Sequence, residues 1–99
     1  MHLAHYILLI NWTEPGISKI HESPDRFSSF KAMVEKLGGK LIGGYYTFGD
    51  HDVVIVMEAP NDEAVMSLVL KVGSAGNVRT KTLKAFTAEE GIKIIRGLQ

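Results

Sequence analysis

The stretch Gly43–Pro60, GGYYTFGDHDVVIVMEAP, decides the fold of this chain. Two runs of β-forming residues flank the dipeptide Gly49-Asp50, and this pattern predicts a hairpin with strands at residues 40–48 and 51–58. The second run is apolar on both of its faces. Since a strand of that kind has to be covered on two sides, we expect it at the centre of a sheet.

The turn of this hairpin fixes which residues face each other. A two-residue loop with glycine first is typical of a type II′ turn, and it pairs Tyr46 with Val53 and Thr47 with Asp52. Such a turn requires a positive φ angle at Gly49, which glycine adopts without steric cost. Within the first strand, the Gly43-Gly44 pair indicates a bulge or a close approach to the backbone.

The segments before the hairpin predict a strand and a helix. Residues 5–12, HYILLINW, are rich in β-formers and too short for a helix. Residues 17–22 predict one helical turn. Ser23 as N-cap and Pro24 at the first helical position then begin a longer helix, and Gly38-Gly39 ends it. Its apolar stripe consists of Phe27, Phe30, Val34 and Leu37.

The segments after the hairpin repeat this arrangement. Asn61 is expected to cap a second helix that Gly73 ends, and residues 78–86 predict strand four. The buried stripe of this helix is expected to be Val65, Leu68, Val69 and Val72. Thr87 and Glu90 have the spacing of a capping box, which predicts a short C-terminal helix.

The resulting order, β-α-β-β-α-β with one more helix, predicts an α+β ferredoxin-like sandwich. Right-handed crossovers place strands one and three at the centre of its sheet, and these are the two strands that are apolar on both faces. The same crossovers put both main helices on one face, which leaves the other face apolar and open. We expect a second copy of the chain to cover that face, as a homodimer or an oligomer of dimers. The alternative is that the C-terminal helix folds across it.

Composition excludes several classes of protein. Ninety-nine residues predict one domain, residues 1–99, and 11 basic against 11 acidic side chains favour neither nucleic acid nor a membrane surface as a partner. The chain contains no cysteine, signal peptide or bilayer-spanning run, so we expect a cytoplasmic protein. Neither a P-loop nor a dinucleotide fingerprint is present, and we expect no cofactor. The histidines do not have the spacing of a zinc motif, so no metal is expected either; they include His2, His5 and His21.

Four segments together resemble the GYD domain family of small bacterial and archaeal proteins. They are LLINWTEPGI (residues 8–17), SPDR (residues 23–26), YYTFGDHDVVIVMEAPNDEA (residues 45–64) and GNVRTKTLKAFTAEE (residues 76–90). The resemblance implies the dimeric α/β barrel branch of ferredoxin-like folds, and hence paired sheets. It implies no particular activity. His51 departs from the family pattern, which usually has an aromatic residue, most often tyrosine, before the aspartate of the turn.

Trp12, Tyr46 and Asp52 are the candidate ligand-binding residues, since they carry polar or charged groups beside an otherwise aliphatic sheet. Tyr45 and Asn11 could line the same pocket between sheet and helices. Asp52 either closes the turn through a bond, for example to Thr47, or places a carboxylate at the rim of the pocket. The aromatic residues have an alternative role as anchors of the core or of an interface. His51 is expected to be a surface residue of the turn and points away from Asp52, because successive strand residues face opposite sides.

Three classes of function remain open. The first is a module that binds or senses a small organic molecule. The second is a cofactor-independent enzyme of the dimeric α/β barrel type, such as an oxygenase or isomerase, with Asp52 or a histidine as its base. The third is an oligomeric interaction module without a ligand. The catalytic residues of the second class cannot be assigned from the sequence, so whether the protein is an enzyme stays open.

Overall fold

The computed structural model describes residues 3–98, so that His2 lies outside the described residues. Within these residues, four strands and four α-helices follow one another, with a short 3₁₀ turn at Ile20–Glu22. The strands are β1 (Ala4–Trp12), β2 (Lys40–Tyr46), β3 (Val53–Ala59) and β4 (Val78–Ala85). The helices are α1 (Glu14–Ser18), α2 (Ser23–Lys36), α3 (Asp62–Ser74) and α4 (Ala88–Arg96).

The strands form one antiparallel sheet in the order β2-β3-β1-β4. The two strands that are apolar on both faces, β1 and β3, are therefore central, as the sequence predicts. The α+β architecture and this strand order are consistent with the ferredoxin-like fold.

The core lies on the face of the sheet that carries α2 and α3. Alternate residues of the central strands are buried there, and the two helices supply the opposite side. From the sheet the core contains Tyr6, Leu8, Ile10, Val53, Ile55, Met57 and Ala59, and from the helices Phe30, Val34, Val65 and Leu68.

The other face of the sheet stays open, and we use the name open face for its central residues Ile7, Leu9, Val54 and Val56. Each of them is only half-buried. The alternative, that the C-terminal helix covers this face, is wrong for the single chain, because none of the residues in α4 is buried. The apolar residues of α4 remain exposed instead; they are Ile92, Ile94 and Ile95.

The hairpin has the predicted register. Tyr46 pairs with Val53, and the Thr47 amide donates to the Asp52 carbonyl at 2.8 Å. Gly49 has a φ angle of +107°, as the turn requires. The strands are shorter than predicted: β2 ends at Tyr46 rather than at residue 48, and β3 begins at Val53 rather than at residue 51. Beyond β3, the Asp52 amide still donates to the Ile10 carbonyl of β1 at 2.9 Å.

The Gly43-Gly44 pair shows both predicted features. The register of β2 against β3 shifts between Leu41 and Gly43, which marks a bulge. A Cβ at Gly44 would lie 2.6 Å from the ring of Phe27, so α2 packs against this part of β2 at a distance that only glycine permits.

Ser23 is not the N-cap of α2, contrary to the prediction. Glu22 precedes the helix with φ −83° and ψ −10°, which is already a helical conformation. The chain enters α2 directly from the 3₁₀ turn, and no residue with an extended backbone is present to cap it by its side chain. The predicted turn at residues 17–22 is divided between this 3₁₀ turn and α1, which begins earlier, after its cap Thr13.

The remaining helix ends agree with the sequence more closely. Asn61 caps α3 through a bond from the Ala64 amide, and Thr87 and Glu90 form the predicted capping box of α4. α3 continues past Gly73 to Ser74, because the residue with the left-handed backbone is Gly76, at φ +84°. β4 ends one residue before Phe86. None of the helices within residues 3–98 has both the length and the apolar character needed to cross a membrane.

Candidate functional site

An open cleft of about 700 Å³ lies between α2, α3 and the sheet. The sheet forms its floor through Ile10, Trp12, Tyr46, Val53 and Ile55. One wall is α2 with the residue before it, through Glu22, Ser23, Asp25, Arg26, Phe27, Ser29, Phe30 and Met33. The other wall is the end of α3 and the start of β4, through Lys71, Val72, Ala75, Asn77 and Val78.

Two of the predicted site residues, Trp12 and Tyr46, line this cleft. Their ring centroids are 6.3 Å apart, with an angle of 32° between the ring planes. Both point to the helix-bearing face for the same reason: Trp12 is two residues beyond buried Ile10, and Tyr46 pairs with buried Val53. Together they form an aromatic corner at the ends of β1 and β2.

A pair of hydroxyl groups fixes one side of this corner. The Ser23 hydroxyl lies 2.9 Å from the Tyr46 hydroxyl, and Ser23 is buried. Ser23 therefore connects the first turn of α2 to the end of β2 instead of capping its own helix. Both hydroxyls belong to residues that line the cleft, and a hydroxyl can donate and accept at once.

Four charged side chains line the cleft. Arg26 donates to the Gly16 carbonyl at 3.3 Å and lies 3.5 Å from Glu22, one helical turn before it. The other two, Asp25 and Lys71, come from opposite walls. Neither makes an ion pair within 4 Å to the part of the chain that the structure describes.

Asp52 lies behind the aromatic corner and does not line the cleft. Its carboxylate accepts a hydrogen bond from the Trp12 backbone amide at 3.0 Å. The predicted bond between the Asp52 carboxylate and the Thr47 side chain does not form. The Thr47 hydroxyl donates to the His51 carbonyl instead, at 2.6 Å. Asp52 thus acts on the position of Trp12 and reaches the cleft only through it.

His51 lies on the other side of the sheet, where Asn11 holds it. Its Nδ1 is 3.1 Å from the Asn11 amide oxygen, while the Asn11 amide nitrogen donates to the Asp50 carbonyl at 2.9 Å. His51 and Asp52 therefore diverge, as strand alternation predicts, but His51 is half-buried rather than a free surface residue. Neither Tyr45 nor Asn11 lines the cleft.

A second cluster of ionisable groups lies on the side of α3 that faces away from the cleft. The Tyr6 hydroxyl and the Lys84 ammonium both donate to the Asp62 carboxylate, the latter at 3.0 Å. Burial raises the pKa of Tyr6 to about 12, and the bond to Asp62 adds to this shift. The bonds from Tyr6 and Lys84 in turn lower the pKa of Asp62. The recess beside this cluster has a volume of about 230 Å³, a third of that of the cleft.

No group of three or more His, Asp or Glu side chains within residues 3–98 is arranged to hold a metal ion. His5 has two carboxylates near it, with Glu58 at 3.6 Å and Glu90 at 3.9 Å. These contacts connect β1 to β3 and to the first turn of α4, on the side of the sheet away from the cleft.

Comparison with known proteins identifies the family. The model of the GYD domain matches residues 6–95. The chain belongs to the GYD domain family. This finding confirms the resemblance noted in the sequence, and it covers nearly the whole chain.

One relative of this GYD domain is described as a binding protein, and two solved structures have a similar fold. A glutamine synthetase and cystathionine beta-lyase binding protein of Thermus thermophilus is 30% identical over 81 residues, which cover 81% of this chain and 85% of the relative. A feast or famine regulatory protein of M. tuberculosis, complexed with L-methionine, has a TM-score of 0.65 at 18% identity. The match covers 88% of this chain but only 52% of that protein, so the GYD domain spans about half its length. The crystal structure of a Thermus thermophilus protein has a TM-score of 0.54 at 22% identity, and the match covers 86% of this chain and 95% of that one. Likeness at such identities shows the fold alone.

The sequence does not predict most of the polar groups of the cleft. It predicts Ser23 as the N-cap of α2, whereas the structure places this residue in the first turn of the helix and on a wall of the cleft. Arg26 and Lys71 each lie next to a residue of an apolar stripe, Phe27 and Val72 respectively. That adjacency is the signal that could have identified them, because a charged residue at the edge of a stripe borders whatever the stripe covers.

Proposed function

We propose that this GYD domain binds a small organic molecule in the cleft between α2, α3 and the sheet. The observation that carries the proposal is the cleft itself, about 700 Å³ in volume, within the range of small-molecule sites. Its apolar side chains outnumber its polar ones, and the polar ones are concentrated on α2 and at the end of α3. An apolar surface with a few polar groups is typical of a ligand pocket, since the first supplies affinity and the second fixes orientation.

The predicted site residues have separate roles in this proposal. Trp12 and Tyr46 offer aromatic surface to the ligand, and the Tyr46 hydroxyl and Ser23 offer a hydrogen-bonding pair. Asp52 is a positioning residue, because its carboxylate holds the backbone of Trp12. The methionine complex of the M. tuberculosis regulator supports a sensing role, as a property of a protein with the same fold.

Filling the cleft tests the proposal. Val72→Trp places a large side chain in the cleft, and Leu70→Trp is its control because Leu70 is 63% exposed and does not line it. We expect compounds from a metabolite library to raise the melting temperature of the wild type and of Leu70→Trp but not of Val72→Trp. Amide resonances of Trp12 and Tyr46 should shift on binding. If no compound binds, or if binding survives Val72→Trp, the cleft is not the site.

A second candidate function is an interaction module, which the relative from Thermus thermophilus favours through its description as a protein that binds two enzymes. The structure offers a surface for such a role in the open face and the exposed apolar residues of α4. The enzyme hypothesis has less support, since Asp52 does not line the cleft and His51 lies on the other side of the sheet.

We also propose that two copies pair through the open face to form a dimeric α/β barrel. Four half-buried aliphatic side chains at the centre of one sheet face form a contiguous apolar surface, which soluble monomers seldom expose. The absence of cysteine suits the reducing cytoplasm, where we place the protein.

A further inference from the structure

The charges of the cleft indicate what kind of molecule it binds, an inference that rests on the function proposed above. Of its four charged residues, Glu22 and Arg26 are one turn apart on the same wall and pair with each other. Asp25 and Lys71 stay without an ion-pair partner among residues 3–98. One free carboxylate on α2 therefore faces the cleft together with one free ammonium on α3.

A ligand that satisfies both groups has to carry both charges. A simple carboxylic acid would pair with Lys71 and leave Asp25 beside a like charge. A simple amine would pair with Asp25 and leave Lys71 beside a like charge. Arg26 adds a second positive charge to the lining of the cleft, and its buried Nη1 atom, which is 3.5 Å from Glu22, makes no hydrogen bond. A carboxylate near Lys71 and Arg26 and an ammonium near Asp25 would give Asp25 and Lys71, the two side chains without an ion pair among residues 3–98, a partner each.

The rest of the cleft determines the body of the ligand. Besides the charged residues, the lining includes the polar Ser23, Ser29, Tyr46 and Asn77 and an apolar part to which Phe27, Phe30, Met33 and Val72 of the walls and Ile55 of the floor belong. The side chains of the apolar part offer no charge and no hydrogen-bonding group. The part of the ligand that extends between them must therefore be apolar, and each buried methylene should tighten binding about fourfold.

We propose that the cleft binds a zwitterionic α-amino acid with a large apolar side chain, with its carboxylate toward Lys71 and Arg26, its ammonium toward Asp25, and its side chain between α2 and α3. The proposal covers leucine, methionine and phenylalanine as a class.

Calorimetry with matched ligands tests this assignment. The probes are L-methionine, the amine that lacks its carboxylate (3-(methylthio)propylamine) and the acid that lacks its ammonium (4-(methylthio)butyrate). We expect L-methionine to bind about two- to fivefold more tightly than either analogue, because each analogue lacks one charged group and one exposed charge pair contributes up to about 1 kcal/mol. L-methionine should also bind more tightly than glycine or alanine.

Two variants assign the charges to their partners. Lys71→Gln should weaken the binding of L-methionine by about two- to fivefold and leave the binding of the amine unchanged. Asp25→Asn should weaken the binding of L-methionine to a similar extent and leave the binding of the acid unchanged. Lys31→Gln is the control, because Lys31 is exposed on α2 and does not line the cleft. Equal affinity for L-methionine and one of its analogues would overturn the zwitterion assignment.

The outcomes separate this inference from the function on which it rests. If amino acids fail to bind but another compound shifts the resonances of Trp12 and Tyr46, the ligand class is wrong and the cleft is still a binding site. If neither amino acids nor any library compound binds, both proposals are wrong.

Discussion

A single carboxylate, that of Asp52, holds the end of β1 in place. It accepts a bond from the Trp12 amide, and its own amide donates to the Ile10 carbonyl at 2.9 Å. Asp52→Asn keeps an acceptor of the same shape, so we expect the fold to be retained and the free energy of unfolding to fall by about 1 kcal/mol. Asp52→Ala leaves the Trp12 amide without that acceptor and should cost about 1–3 kcal/mol. Urea denaturation measures both.

The ligand affinity of the same two variants tests how Asp52 acts. A positioning role predicts that Asp52→Asn binds a cleft ligand nearly as well as the wild type, whereas Asp52→Ala binds it more weakly because Trp12 shifts. If Asp52→Asn abolishes binding without loss of stability, the carboxylate contacts the ligand itself.

Gly16 marks a close contact between α1 and the loop before β4. A Cβ at this position would collide with the Asn77 carbonyl oxygen, which also accepts a bond from the Thr13 amide at 3.1 Å. We expect Gly16→Ala to lower the free energy of unfolding by about 1–3 kcal/mol, since backbone cannot move aside as a side chain can. Gly73→Ala is the control: the space around Gly73 is empty and the residue is helical, so alanine should stabilise by about 0.5–1 kcal/mol. Thermal unfolding of the two variants gives the contrast.

At the scale of single residues, the sequence predicted those features that depend only on neighbouring residues along the chain. The Asn61 cap, the Thr87–Glu90 capping box and the backbone of Gly49 each follow from a few adjacent residues, and all three are confirmed. The position of Ser23 was not predictable, because the contact that decides it comes from Tyr46, far along the chain. The partner of Asp52 was missed for the same reason, since Trp12 is 40 residues away.

The hairpin β2–β3 depends on its turn, residues 47–52. Gly49 has φ +107°, a region that β-branched residues avoid. Gly49→Val should therefore lower the free energy of unfolding by about 1–3 kcal/mol, the usual cost of a strained backbone. Gly91→Val serves as control, because Gly91 lies in exposed α4 with open space around it. An unchanged urea midpoint for Gly49→Val would show that the turn adapts without strain.

The cluster of Tyr6, Asp62 and Lys84 connects α3 to the sheet, and its strength should depend on pH. The folded pKa of Tyr6 lies at about 12, above the ordinary 10.0, so its contribution to stability is complete below pH 10.0 and is lost as the pH rises toward 12. The pKa of Asp62 is lowered from 3.8, so its contribution is complete above that value and is lost as the pH falls through the folded pKa.

Tyr6→Phe tests this cluster because it removes the shared hydroxyl and keeps the buried ring. At neutral pH we expect Tyr6→Phe to have a lower urea midpoint than the wild type. The difference between the two midpoints should become smaller at both acidic and alkaline pH. Tyr45→Phe is the control, since the Tyr45 side chain is exposed and makes no hydrogen bond within the described residues. A constant difference across the whole pH range would show that the hydroxyl contributes only through packing.

For the whole molecule, the sequence predicted the architecture because hydrophobic alternation and right-handed crossovers leave few arrangements. The strand order follows from β1 and β3 alone, the two strands without a polar face. The cleft was predicted in position but not in its chemistry. The facing of Trp12 and Tyr46 toward the cleft follows from alternation along their strands. The placement of Asp25 and Lys71 on opposite walls depends instead on how α2 and α3 lie on the sheet, which no local sequence pattern records.

The open face leads to the last prediction, that the protein is a dimer in solution. A two-fold interface uses the same patch from each partner. Two copies that pair their sheets therefore bury the open face of both chains, which consists of Ile7, Leu9, Val54 and Val56 in each. Val56→Lys places two lysines in that interface without touching the core on the helix side. Light scattering at micromolar concentration should show a dimer for the wild type and a folded monomer for Val56→Lys, with affinity weakened by about 100-fold or more, roughly 3 kcal/mol. Leu70→Lys, on the exposed surface of α3, should remain a dimer. A wild type that is monomeric at this concentration would contradict the paired sheets, and the open face would then be free for a different protein, as the interaction module requires.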